Sequence, residues 1–242
     1  DKIKLISKQK TSDIQKIYYY TQITKEFGTL PFAGIARCAF VSQRLLLDLK
    51  ELNLITNNEF NNFFSSIKSV TKNLNNDYKL MCKKKISKNT FLDKYGHLRP
   101  SSYDINSLNY KEGFKIYFKN VKNNNNFKKI NFTFSKSFEI NNLLLKKFNI
   151  SLKEFINFSS QSIYFREYAK LTFTKGINLI FASLIKLGKE INIKRNDLAF
   201  IDFNKILESY SSVEIIKLKK SLLNNFLKNK FEYRIMQLIK LP

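Results

Sequence analysis

Apolar residues recur every three to four positions along nearly the whole chain, and that period commits most of it to amphipathic helices. Residues 1–27 read as a first helix, with Thr11 or Ser12 as cap, Ile14, Ile17, Tyr18 and Thr21 at helical spacing, and Gly28 as its stop. Pro31 then stands at the first turn of a second helix running to about Leu54, where a missing N–H costs nothing. Thr56 with Glu59, and Ser151 with Glu154, have the spacing of capping boxes. They open a helical pattern through Phe60, Phe63, Phe64, Ile67 and Val70 to Lys85, and another to about Thr174. Gly176 is expected to break the chain before a helix over Ile177–Leu187 that Gly188 ends. Asn196–Asp202 reads as a short turn, and Ser212 as the start of a last helix with Leu222, Leu223, Phe226 and Leu227 facing inward.

One segment breaks the period. Phe114–Phe118 and Ile130–Phe134 alternate apolar and polar residues around the Asn-rich stretch Asn123–Asn126, so residues 111–136 are either a small β-hairpin (about 114–134) or a mobile insertion. The expected fold is therefore mainly α: one irregular multi-helix domain over residues 1–242 with that single possible hairpin. The initial Asp1 and terminal Leu241-Pro242 are read as cuts inside a longer polypeptide.

With 43% hydrophobic residues the 242-residue chain can build a sizeable core. Its net charge of +24 alone would suggest an acidic partner such as nucleic acid. The charge, however, is nearly all lysine spread along the chain, whereas phosphate and base readout favours arginine forks, of which there are only six arginines to draw on. A dedicated nucleic-acid surface is therefore not expected. Cys38 and Cys82 stand far apart without metal-ligand spacing, which predicts two reduced, buried thiols and a cytoplasmic protein. No uninterrupted apolar run reaches the ~18 residues of a membrane span, so no membrane partner is expected.

The scarcer chemistry is concentrated in Tyr95–Tyr110, which holds the only histidine, His97, together with Arg99, Pro100, Tyr103 and Asp104. Gly96 and Pro100 shape this stretch into a loop between helices, a place where polar groups serve either binding and catalysis or the capping of neighbouring helices. Arg37, among small apolar neighbours, is expected to be partly buried and paired, with Arg44 two turns along on the same side. Arg166 and Glu167 interrupt an aromatic and aliphatic run. Any histidine-based proton transfer must use His97, and no spacing supports a metal site. If Arg37, His97, Arg99, Tyr103, Asp104, Arg166 and Glu167 gathered in one cavity, the arginine forks would suit a phosphate or carboxylate.

Three stretches, Gly28-Thr-Leu-Pro-Phe-Ala-Gly-Ile-Ala-Arg37, Lys94-Tyr-Gly-His-Leu-Arg-Pro-Ser-Ser-Tyr-Asp-Ile105 and Arg166-Glu-Tyr-Ala-Lys170, resemble in the same order the phosphoenolpyruvate synthase/pyruvate phosphate dikinase-like proteins. Rifampicin phosphotransferase shares their three-domain plan. Where that family carries Gly-Thr after the Pro, this chain has Ser101-Ser102. The similar region is the central helical domain between an ATP-grasp domain and a swivelling phosphohistidine domain. The resemblance implies a fragment of a multidomain, ATP-dependent phosphotransferase that holds a small-molecule acceptor. ATP and Mg would bind the ATP-grasp domain, outside this chain, and no cofactor would bind here. His97 lacks the Gly-Gly-x-x-Ser/Thr-His context of the phosphate carrier, so its implied role, like that of Asp104, is base. Arg37, Arg99 and Arg166, with Tyr103 and Glu167, would hold the acceptor or incoming phosphoryl group. The alternatives from other classes are a basic helical nucleic-acid-binding module and a structural linker with no site of its own.

Overall fold

The computed structural model describes residues 2–119, 132–211 and 215–239. All regular structure in those residues is helical, so the chain is mainly α. It gathers into two compact units, each with its own core: residues 1–27, 96–119 and 173–242 form the first, and 28–95 and 120–172 the second.

The first unit contains α1 (Lys2–Lys8), α2 (Asp13–Thr24), the loop from Gly96, α7 (Phe114–Tyr117), the C-terminal part of α9 (Leu152–Glu190), α10 (Arg195–Leu198), α11 (Phe203–Glu208) and α12 (Ile215–Leu238). The expected single helix over 1–27 is interrupted before Ser12. The Ser12 hydroxyl accepts from the Gln15 N–H at 3.3 Å, and the Gln15 side chain accepts from the Ser12 N–H at 3.1 Å. That reciprocal cap satisfies donors at the start of α2 that would otherwise lack partners. Ile14, Ile17 and Tyr20 of α2 pack with Ile180, Leu184 and Leu187 of α9, Ile206 of α11 and Leu222 of α12. Leu227, expected to face inward, is 61% exposed.

Two glycines act differently from expectation. Gly28 lies inside a π-helical turn, Lys25–Thr29, and does not end its helix. Gly176 does not break α9; a Cβ added there would collide with the Thr24 hydroxyl and stand 3.2 Å from Thr24 Cβ and Cγ2. Its missing side chain lets α2 and α9 approach closely, and packing outweighs the ~1 kcal/mol that glycine costs a helix. The end of α9 is set by Asn192 at φ 58° and by the Ile193 N–H, which donates to Gly188 O at 2.7 Å.

The second unit contains α3 (Leu30–Glu51), α4 (Asn57–Ser66), α5 (Val70–Cys82), α6 (Lys88–Tyr95), α8 (Ser137–Phe148) and the N-terminal part of α9. Both expected capping boxes form. Thr56 and Glu59 open α4, and Ser151 and Glu154 open α9. The pattern read as continuous to Lys85 is broken after Ser66: Lys72 Nζ donates to the Ile67 carbonyl at 2.8 Å, and Ser69 caps α5. Leu46, Leu49, Phe63, Ile140, Leu144 and Phe155 form the core, with Phe134 stacked on Phe63 at 6.3 Å.

The expected first hairpin arm, Phe114–Phe118, is instead the helical turn α7, with Phe118 N–H bonded back to Phe114 O. Asn123–Asn126 lie outside the described residues, and no strand occurs among the described ones. Two helices, Asp13–Glu51 and Leu152–Glu190, are long and apolar enough to cross a membrane by length and composition alone. A few charges interrupt each, so neither is an unbroken apolar run. Nearly half of the apolar stretch in the second (44%) is buried within the protein, as in a core helix.

Candidate functional site

The Tyr95–Tyr110 stretch folds as a loop whose ends are tied together. Tyr110 N–H donates to Leu98 O at 2.7 Å, and Lys111 N–H to Gly96 O at 3.0 Å. Between these ties Asp104 makes an Asx turn, its Oδ1 accepting from the Asn106 N–H at 2.9 Å. Ile105 enters the apolar core of the first unit. The loop crosses backbone carbonyls through a region where they need partners, and two arginines supply them.

Arg99 is buried at 8% exposure. Its Nη1 donates to Ser107 O at 3.2 Å and Asp104 O at 3.5 Å, and its Nη2 to Asn178 Oδ1 at 2.6 Å. Its guanidinium also lies 4.8 Å from the centre of the Phe181 ring. Burial lowers its pKa from the ordinary arginine value, opposed by the Glu112 carboxylate and reinforced by Arg195. Arg195 approaches from α10. Its Nε donates to Ile105 O at 2.7 Å, its Nη2 to Ser107 O at 3.4 Å, and both Nη atoms to Glu112 Oε2 at 3.3 Å. Asn109 closes the network. Its Nδ2 donates to Asn178 Oδ1 at 3.0 Å, and it exchanges hydrogen bonds with Glu112.

Arg99, expected to hold an anion, has partners within the protein. Its fork is directed at the loop's own carbonyls and at Asn178, rather than outward to an anion. The loop instead presents Tyr103, 69% exposed, Asp104, also exposed, and a half-buried His97.

The remaining predicted residues belong to the second unit. Arg37, expected to be partly buried and paired, is exposed and engages no ion pair or hydrogen bond among the described residues. The buried stripe of α3 runs through Ala36, Ala39, Ser42, Leu46 and Leu49, one residue out of phase with it. Arg44, on the same helix, pairs with Asp48 at 2.5 Å and Glu51 at 3.1 Å. Arg166 is exposed, its guanidinium 4.9 Å from the Phe40 ring centre. Glu167 is a helix cap: its Oε2 accepts from the N–H of Val70, the first residue of α5, at 2.8 Å. The predicted residues thus divide, with His97, Arg99, Tyr103 and Asp104 on one loop of the first unit and Arg37, Arg166 and Glu167 in the second.

A surface cavity in the second unit is lined by Ser66, Ile67, Lys68, Gln161, Tyr164 and Phe165, and no predicted site residue lines it. Cys38 and Cys82, expected to be buried, are both exposed. Among the described residues no group of three or more His, Cys, Asp or Glu could hold a metal ion.

Sequence reasoning missed Arg195, Asn178, Asn109 and Glu112. The scarcity that drew attention to Arg99 applied equally to Arg195, another of the six arginines. The asparagines carried no such signal in a chain rich in Asn. No family model, curated protein or solved structure matches the chain.

Proposed function

We propose that this chain is the acceptor-side helical domain of a cytoplasmic, ATP-dependent phosphotransferase of the phosphoenolpyruvate synthase/pyruvate phosphate dikinase type. The observation that carries the reading is the loop of the first unit. It is tied at both ends and hydrogen-bonded to two arginines along its length, and it presents the only histidine, a tyrosine and a carboxylate. Rigid placement of an acid/base group is what proton transfer to or from a reacting hydroxyl requires. In this reading ATP and Mg act on an ATP-grasp domain and a histidine on a third domain carries the phosphoryl group. An acceptor hydroxyl or enol attacks phosphorus. The P–N bond breaks as the P–O bond forms, and the acceptor proton passes to His97 or Asp104.

The test uses the full polypeptide carrying this chain, labelled ATP, and two separate readouts: label on the carrier histidine and net transfer to acceptor. His97→Ala and Asp104→Asn should each leave loading intact, and the variant that removes the base should lower net transfer by about 10²–10⁴-fold. Wild-type transfer in both variants refutes the site. That outcome would favour the second reading, a structural linker, for which the inward commitment of Arg99 and Glu167 speaks.

A further inference from the structure

We infer that Arg195 is a positioning residue for the His97–Asp104 loop, acting with Arg99 as a two-arginine clamp; the inference rests on the reading of that loop as a site. The two guanidinium groups approach from different parts of the chain and share one acceptor, the Ser107 carbonyl, at 3.2 Å from Arg99 and 3.4 Å from Arg195. Together they also take the carbonyls of Asp104 and Ile105. Three of the four residues from Asp104 to Ser107 therefore have their backbone oxygens held by arginine. A lysine could not do this: a point ammonium cannot reach Ile105 O, Ser107 O and Glu112 together, as the planar fork does. The electrostatics fit the same role. Two buried or half-buried cations this close repel each other, and Glu112 lies beside both, bonded to Arg195 and raising the Arg99 pKa against the effect of burial. Glu112 in turn is fixed by the Asn109 amide. The clamp thus sets where the loop presents His97, Tyr103 and Asp104 by holding the backbone of Asp104, Ile105 and Ser107.

His97 is the only histidine of the 242-residue sequence, and in the full polypeptide its imidazole C2–H resonance is identified as the one that His97→Ala removes. Arg195→Lys and Glu112→Gln are compared with wild type by that resonance and by amide exchange across peptides covering residues 96–119. The clamp predicts that Arg195→Lys shifts or broadens the His97 resonance. It also predicts exchange at least tenfold faster within 96–119, with peptides from α2, α9 and α12 unchanged. Glu112→Gln should give a smaller change of the same kind, since the carbonyl contacts remain. An unchanged His97 resonance and unchanged loop exchange in Arg195→Lys overturns the inference. Faster exchange throughout the first unit also overturns it, because that marks Arg195 as a general stabilising residue. These readouts need no phosphoryl transfer, so loss of the transferase reading leaves them interpretable. Conversely, an intact loop in Arg195→Lys leaves the transfer assays on His97 and Asp104 to decide the site.

Discussion

Glu59 offers the best worked test of how this fold is held. Its carboxylate accepts from the Thr56 N–H and hydroxyl, both at 2.8 Å, and from the Ser135 N–H at 2.6 Å. One side chain thus caps α4 and ties down the segment bearing Phe132 and Phe134, whose rings meet edge to face at 4.4 Å beside Phe63. The backbone N–H of Ser135, then that of Thr56, favour the ionised form and lower the pKa from 4.5 to about 2. At about 1.4 kcal/mol per tenfold change in proton affinity, this corresponds to a ceiling of about 3.4 kcal/mol of folding free energy. The carboxylate is only half-buried, so solvent screening reduces the expected value to about 1–2 kcal/mol. The sign follows from the lowered pKa. The stabilisation is complete above pH 4.5, where the unfolded chain is also ionised, and is lost as pH falls toward 2; at pH 2.5 about a quarter remains. Glu59→Gln keeps one acceptor oxygen and removes the charge. Urea unfolding followed by far-UV circular dichroism and tyrosine fluorescence, in a chain without tryptophan, should show a lower midpoint at pH 7 with an unchanged slope. The gap to wild type should narrow as pH drops. A variant within about 0.3 kcal/mol of wild type at pH 7, or a gap that is the same at pH 2.5 and pH 7, refutes this account.

Gly176→Ala should destabilise by about 1–3 kcal/mol in thermal unfolding, because overpacking against Thr24 exceeds the usual helix gain from alanine. Adding Thr24→Ala should recover much of the loss, since it removes the hydroxyl and Cγ2 that the new Cβ meets. Glu167→Gln should cost about 0.5–1 kcal/mol by weakening the charged cap on Val70, with the loss appearing as faster amide exchange at the start of α5.

Local interactions made part of this architecture readable. The caps of Ser12, Thr56 and Ser151 join residues three apart, so a spacing rule finds them without knowledge of the fold. Helical periodicity likewise located the apolar stripe with the buried Phe63 and Ile67. The loop with His97 was also marked by composition, because histidine, arginine and proline are rare in this chain. What those side chains do there was not legible. Arg99 has the sequence context of an anion ligand, yet it turns inward and donates to the loop's own carbonyls.

Local spacing therefore determined which segments are helices and where several begin, since those energies arise between neighbours within one turn. Tertiary contacts decided the rest. Gly176 stays helical because Thr24, more than 150 positions earlier, needs the space of its missing side chain. The Asp104–Ser107 backbone is held by Arg195, about 90 positions away. Glu167 became a cap because α5 begins beside it. In each case a buried polar group or a close approach is satisfied by whichever distant residue the fold brings within about 3 Å, and no pattern in the nearby sequence encodes that partner.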